Sequence, residues 1–339
     1  MAKYINPTTD FGFKRIFKDE EITREFLNAL LQKDDPATHI ESVTITDGEL
    51  DESNKDARRV IYDVHCTTDT GEQFVIEMQN DSQIFFSERI VFYLSRAAST
   101  QQGKGCLKYI DENGVEQKKD WNYHLKKIYG VFFMNFKDDN KENEYGLSHF
   151  AFMETSHKFV DTRVFQYWKI QMPIYRDMKA SDCNDVIDKW LFNLSNMDTM
   201  ETALAFKDEI PVFKRLEKMA TYSALTPQQQ MQYNDSFNNY LAYMGQQEYK
   251  LREGIKIGHA EGHAEGLSEG LAKGRAEGLS EGLAKGRTEG RAEGRAEGRA
   301  EGLAEQAIAI ARRLKAKGTL SLDEIAEMTG LTPDEINTL

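Results

Sequence analysis

Cysteine, long apolar runs and excess positive charge are all scarce in this chain, and each scarcity excludes something. Three cysteines (Cys66, Cys106, Cys183), none in a Cys-x-x-Cys spacing, exclude a disulfide scaffold and a cysteine-based zinc site. No apolar stretch approaches the roughly 18 residues that a transmembrane helix needs, and the polar first ten residues lack the core of a secretory signal. A reducing, cytoplasmic setting away from any membrane is the expectation. The 43 Lys and Arg stand against 56 Asp and Glu, a formal charge of −13. That balance argues against a protein that coats nucleic acid through bulk positive charge.

What is present is enough apolar material for a core, 40% of 339 residues, and a length that suggests two domain-sized units. The glycine total of 24 hides a regularity: 13 of them recur every fourth residue from Gly254 to Gly302. This ladder sets the expected organisation. Residues 1–175 read as a mixed α/β domain, 176–250 as a helical accessory region, 251–306 as the repeat and 307–339 as a short helical tail.

The first region alternates in type. Asp19–Gln32 puts Ile22, Phe26, Leu27, Leu30 and Leu31 on one helical face. Strands are predicted over His39–Thr46, Arg58–Thr67 and Gln73–Gln79, the last two joined by a turn carrying Asp69 and Gly71. A long helix over Ser82–Gln101 follows. His124–Phe136 is then almost continuously apolar, as suits a strand buried on both faces. The predicted order is α-β-β-β-α-β, with further strands over Leu147–Met153 and Phe165–Ile174 and helices from Ser181 onward.

The chemistry concentrates in YDVHCTTDTGEQFVIEMQN, residues 62–80. Strand alternation places Glu77 and Gln79 on one face with Met78 opposite. A hairpin through Thr68–Glu72 brings Asp63, read as part of the second strand, beside Glu77. Two carboxylates and an amide carbonyl on one sheet face can hold a hard divalent cation such as Mg²⁺. Isolated acids on exposed strands are common, but these sit among Val60, Ile61, Val64, Phe74, Val75 and Ile76, where an unpartnered charge is costly.

These stretches resemble the PD-(D/E)XK (restriction-endonuclease-like) nucleases, and more closely their recombination-promoting nuclease (Rpn) and transposase branch. The resemblance runs through NPTTDFGFKRIF (6–17), residues 62–80, ERIVFYLSRAASTQQGKG (88–105), WNYHLKKIYGVFFMNF (121–136), DKWLFNL (188–194) and the ladder. It implies an α/β fold with the αβββαβ core and a Mg²⁺-dependent DNA endonuclease tied to recombination or mobile elements. Asp63 and Glu77 would be the metal ligands. Gln79 stands where the wider superfamily most often has lysine; it can orient water but brings no charge, which points to weaker activity or a cation from elsewhere. Two further readings stay open: a DNA-binding or regulatory module with little catalysis, and a defence or toxin nuclease controlled by a partner.

Around this centre several residues carry two readings each. Asp10 is either an additional acidic catalytic residue, or Thr9 or Asp10 simply caps a helix starting near Phe11. Lys14 and Arg15 either contact phosphate or are solvated, and the same choice holds for Gln83 and Arg96. Trp121, Tyr123 and the aromatics of 85–93 read as core before base-stacking groups. His259 and His263 have ligand spacing but lie within the repeat. Cys66 reads as a buried filler.

The ladder repeats Gly-[Leu/Arg/His]-[Ala/Ser]-[Glu/Lys]. As a helix it carries 13 glycines at about 1 kcal/mol each relative to alanine. It also stacks like charges four apart, Arg291, Arg295 and Arg299 in one row and Glu289, Glu293, Glu297 and Glu301 in another. A second copy would relieve both faults, so homo-oligomerisation through 251–306 is one reading; a flexible linker is the other. The tail, SLDEIAEMTGLTPDEINTL, resembles a helix-turn-helix with capping boxes at Ser321/Glu324 and Thr332/Glu335. Its second helix is acidic and lacks Arg and Lys, which favours packing or docking over DNA reading.

Overall fold

The computed structural model describes residues 2–46, 62–101, 108–110, 114–118, 124–138 and 144–339. Val60, Ile61, Cys106, Trp121 and Tyr123 lie outside the described residues. The chain forms two compact units, 1–246 and 247–339.

The first unit is built on a six-stranded sheet. Helices α1 (Asp10–Phe17) and α2 (Glu20–Gln32) precede strands β1 (Val43–Thr46), β2 (Val64–Thr68) and β3 (Gln73–Gln79). Helix α3 (Phe86–Ser99) and a small hairpin, β4 (Lys108–Ile110) with β5 (Glu116–Lys118), lead to β6 (Ile128–Met134), β7 (Leu147–Met153) and β8 (Val160–Gln171). The sheet order is β1-β2-β3-β6-β8-β7, with β3, β6 and β8 parallel and the outer pairings antiparallel. A parallel neighbour requires a crossover, and α3 lies on the one that takes the chain from β3 to β6.

Every residue of β6 is buried because helices cover both faces of the sheet. Alternation then sorts the side chains. Phe74, Ile76, Tyr129, Val131 and Phe133 face a core shared with α1, α2, α5 (Val186–Asn196) and α6 (Val212–Ala220). Its centre is aromatic: Phe17 and Phe26 lie 5.3 Å apart edge to face, and Trp190 meets Phe213 at 4.8 Å. Val75, Ile128, Phe132 and Met134 face the other way, against Phe86, Ile90, Leu94 and Ala97 of α3. Between β8 and α5 lies α4 (Met172–Asp177).

Several boundaries differ from the sequence reading. β2 begins at Val64, so Asp63 sits at its entrance rather than within it. α3 begins at Phe86, and Ser82–Phe85 precede it as loop. Phe85 and Phe92, expected in the core, are 69% and 50% exposed, whereas Phe86 is buried. The helical period of 85–93 assigns faces but not the face that α3 turns to the sheet.

Helix α7 (Pro227–Lys317) carries the ladder as continuous helix. From Gly254 to Gly302 a Cβ built on any ladder glycine would meet nothing within 4 Å. In the second unit Ala311 packs with Ile325 of α8 (Leu322–Thr329) and Ile336 of α9 (Pro333–Thr338). Both capping boxes form, and Gly330 ends α8 at φ +72°, a left-handed conformation that favours glycine. Lys315 Nζ donates to the carbonyls of Ile336 and Asn337, closing the C-terminus of α9. No described helix is long and apolar enough to cross a membrane.

Candidate active site

The β2–β3 hairpin sets the site. Gly71 takes φ +86° in the turn, and the register pairs Val64 with Ile76, which carries Asp63 to the level of Glu77. The Asp63 backbone N–H donates to Glu77 Oε1 at 2.9 Å, and the Met78 N–H donates to Asp63 Oδ2 at 2.8 Å. Each carboxylate is thus held by the other strand's end. Gln79, on the same face as Glu77, donates from Nε2 to Glu77 Oε2 at 3.3 Å. Glu77 is 2% exposed and Gln79 is buried, while Asp63 is partly open.

Burial dominates the electrostatics. It pushes the Glu77 carboxyl up to about 8, and the negative charge of Asp63 adds to the effect. Burial raises Asp63 as well, against the Met78 N–H and the positive charge of Lys14. The pair therefore lacks positive charge. Lys14 and Arg89 supply part of it, each easing both carboxyls. Arg89 is fixed by Gln83 Oε1 at 3.0 Å and the Tyr93 hydroxyl at 2.7 Å, and Tyr62 donates to the Tyr93 carbonyl. Burial works against the Lys14 ammonium, but Asp10 at 2.6 Å, with Asp63 and Glu77 beyond, holds it above its usual range.

Asp63, Glu77 and Gln79 are brought together. Asp10 is exposed and ion-paired to Lys14. Among the described residues no three His, Cys, Asp or Glu side chains are grouped to hold a metal ion. Thr9, not Asp10, caps α1 by accepting from the Gly12 N–H, and Asp10 occupies the first turn, where a negative charge suits the helix end. Gln83 belongs to the loop before α3. Cys66 is fully buried, and burial pushes its thiol up to about 12, far from a nucleophile. Sequence reading misses Arg89 and takes Tyr93 for core with the other aromatics of 85–93; their four-residue spacing marks one helix face but not its orientation toward Glu77.

A family model of the PD-(D/E)XK nuclease family transposases matches residues 7–243, which contain this whole hairpin and its covering helices. The chain belongs to that family. No curated protein and no solved structure matched the chain. Membership in a nuclease family makes phosphodiester hydrolysis the chemistry against which the site is to be read.

Proposed function

We propose that the chain is a metal-dependent DNA endonuclease, with Asp63 and Glu77 holding a divalent cation and Gln79 orienting the attacking water. The observation that carries this reading is the buried carboxylate pair, whose raised proton affinity marks a site short of positive charge. Mg²⁺ is commonly held by one or two carboxylates with waters completing its shell, so the donor set fits the ion. Such an ion lowers the pKa of bound water and stabilises phosphoryl charge.

The chain's own residues divide the remaining work. The Met78 and Asp63 backbone N–H groups fix the orientation of the two carboxylates. Gln79 positions water through its amide and contributes no charge; Lys14 and Arg89, within electrostatic reach of both carboxyls, take over the missing lysine's charge. Breakage of DNA in recombination or mobile-element movement is the setting that the family's description supports. The test is nicking of supercoiled plasmid by the full chain with Mg²⁺ and with chelator. Asp63→Ala and Glu77→Ala are expected to abolish nicking, and cleavage that survives both would overturn the assignment.

We propose in addition that the ladder pairs with a second copy. Its glycines destabilise a lone helix by roughly 10 kcal/mol in sum, and among the described residues no tertiary contact at those glycines offsets this. In a parallel pair the Arg291, Arg295 and Arg299 row faces the partner's Glu row, which offsets the like-charge stacking. A sedimentation mass that rises with concentration supports pairing, and a monomer at all concentrations refutes it.

A further inference from the structure

β3 ends at Gln79, and the loop to α3 runs along one wall of a cleft of about 700 Å³. The first turns of α7 form the opposite wall. Residues 232, 235, 236, 239, 240 and 243 line it, three and four apart, and so share one helix face. Gln79 and Asp10 also line the cleft, so it opens beside the carboxylate pair.

The chemistry of its walls selects a ligand. Asp10, Asp81 and Asp235 are its charged groups, and no Lys or Arg lines it, so no cation of the cleft wall holds a phosphate there. The cations lie in an adjoining groove, where Lys14, Arg15 and Lys18 line the surface; the two grooves share Asp10, Gln232 and Ser236. Gln232 and Asn239 are exposed and their side-chain amides hydrogen-bond no other described residue, which leaves those donors and acceptors for an incoming group. Amides of this kind match the polar edge of a nucleobase, and the half-buried Tyr240 and Tyr243 offer aromatic surface for stacking.

An independent feature stands at the loop leading to α3. Ile84 is 92% exposed and Phe85 69% exposed, directly after Gln83 of the cleft. Two adjacent large apolar side chains held in water are the equipment that DNA-distorting proteins insert between base steps. We propose that the cleft takes an unstacked nucleobase of the DNA substrate while Ile84 and Phe85 wedge the stack open beside Asp63 and Glu77. The proposal rests on the nuclease reading for the identity of the substrate as DNA. It makes the protein selective for DNA whose bases are already unpaired, since there the cost of unstacking is least.

The test separates base capture from cleavage. The full chain is mixed, in chelator, with a duplex carrying 2-aminopurine in a three-base bubble and with its fully matched counterpart. The expected result is a rise in 2-aminopurine fluorescence and about tenfold tighter binding to the bubble. Ile84→Ser with Phe85→Ser, exposed positions that leave the core untouched, is expected to remove both effects. Gln232→Ala with Asn239→Ala is expected to weaken bubble binding and spare matched-duplex binding. Equal affinity for the two DNAs, or wedge variants that behave as wild type, would overturn the inference. Metal-dependent nicking without base capture would leave the nuclease standing and the inference refuted; base capture without nicking under any divalent ion would do the reverse.

Discussion

Replacing Glu77 by glutamine removes the titrating carboxyl while keeping the side chain's shape. The carbonyl of the introduced amide would still accept the Asp63 N–H that Glu77 Oε1 now accepts at 2.9 Å. In the metal-free protein the folded state binds the Glu77 proton up to about pH 8, whereas an unfolded chain releases it near about 4.3. Between those values the native state carries the extra proton, so stability falls as pH rises. The slope approaches about 1.4 kcal/mol per pH unit, and from pH 6 to 8 the loss is about 2 kcal/mol, or roughly 4–8 °C in Tm for a unit of this size. Fluorescence of the buried Trp168 and Trp190 follows unfolding of this core. The difference between wild type and Glu77→Gln isolates the contribution from other titrating groups. Without metal the variant is expected to gain about 2 kcal/mol on wild type between pH 6 and pH 8, and the two proteins to differ least near about pH 4. Mg²⁺ is expected to stabilise wild type at pH 8 and to leave the variant nearly unmoved. Parallel pH profiles for the two proteins would show that Glu77 does not hold its proton in the folded state.

Gly12→Ala is expected to cost several kcal/mol and to impair nicking, because its Cβ would collide with the Asn6 carbonyl oxygen and displace the helix that carries Lys14; chemical denaturation and the plasmid assay measure the two effects. Lys14→Ala is expected to lower the nicking rate without lowering thermal stability by more than about 1 kcal/mol, since Asp10, its ion-pair partner, is exposed. Asp19→Ala removes both the cap on the Ile22 N–H and the Arg215 partner, and a loss of about 1–2 kcal/mol in denaturant unfolding is expected. Gly278→Ala with Gly282→Ala is expected to raise helical circular dichroism, each site gaining about 1 kcal/mol of helix propensity, while sedimentation shows weaker self-association.

The hairpin is legible in the sequence because its period and its turn chemistry agree. Alternation puts Glu77 and Gln79 on one face, and Thr68–Glu72 with Gly71 sets the register that carries Asp63 opposite. β6 is legible as an unbroken apolar run, which both-sided burial alone permits. The loop before α3 is not: SQIFFSERIVFYL reads as one helix, and nothing local tells Phe85, which faces water, from Phe86, which fills the core. The positive charge around the two carboxyls is also hidden. Lys14 lies far from both carboxylates along the chain and Arg89 sits on a different element, so only the packing of α1 and α3 around the sheet brings their charge to bear. The cleft likewise joins Gln79 to Tyr240, a juxtaposition that no local pattern encodes.

The central claim is that Asp63 and Glu77 together hold the divalent ion. Anomalous diffraction from crystals soaked in Mn²⁺ tests it most directly. A peak is expected between the two carboxylates, and it is expected to disappear in Glu77→Gln. A protein that nicks DNA in Mn²⁺ yet shows no peak there, or shows it at another group of side chains, would contradict it.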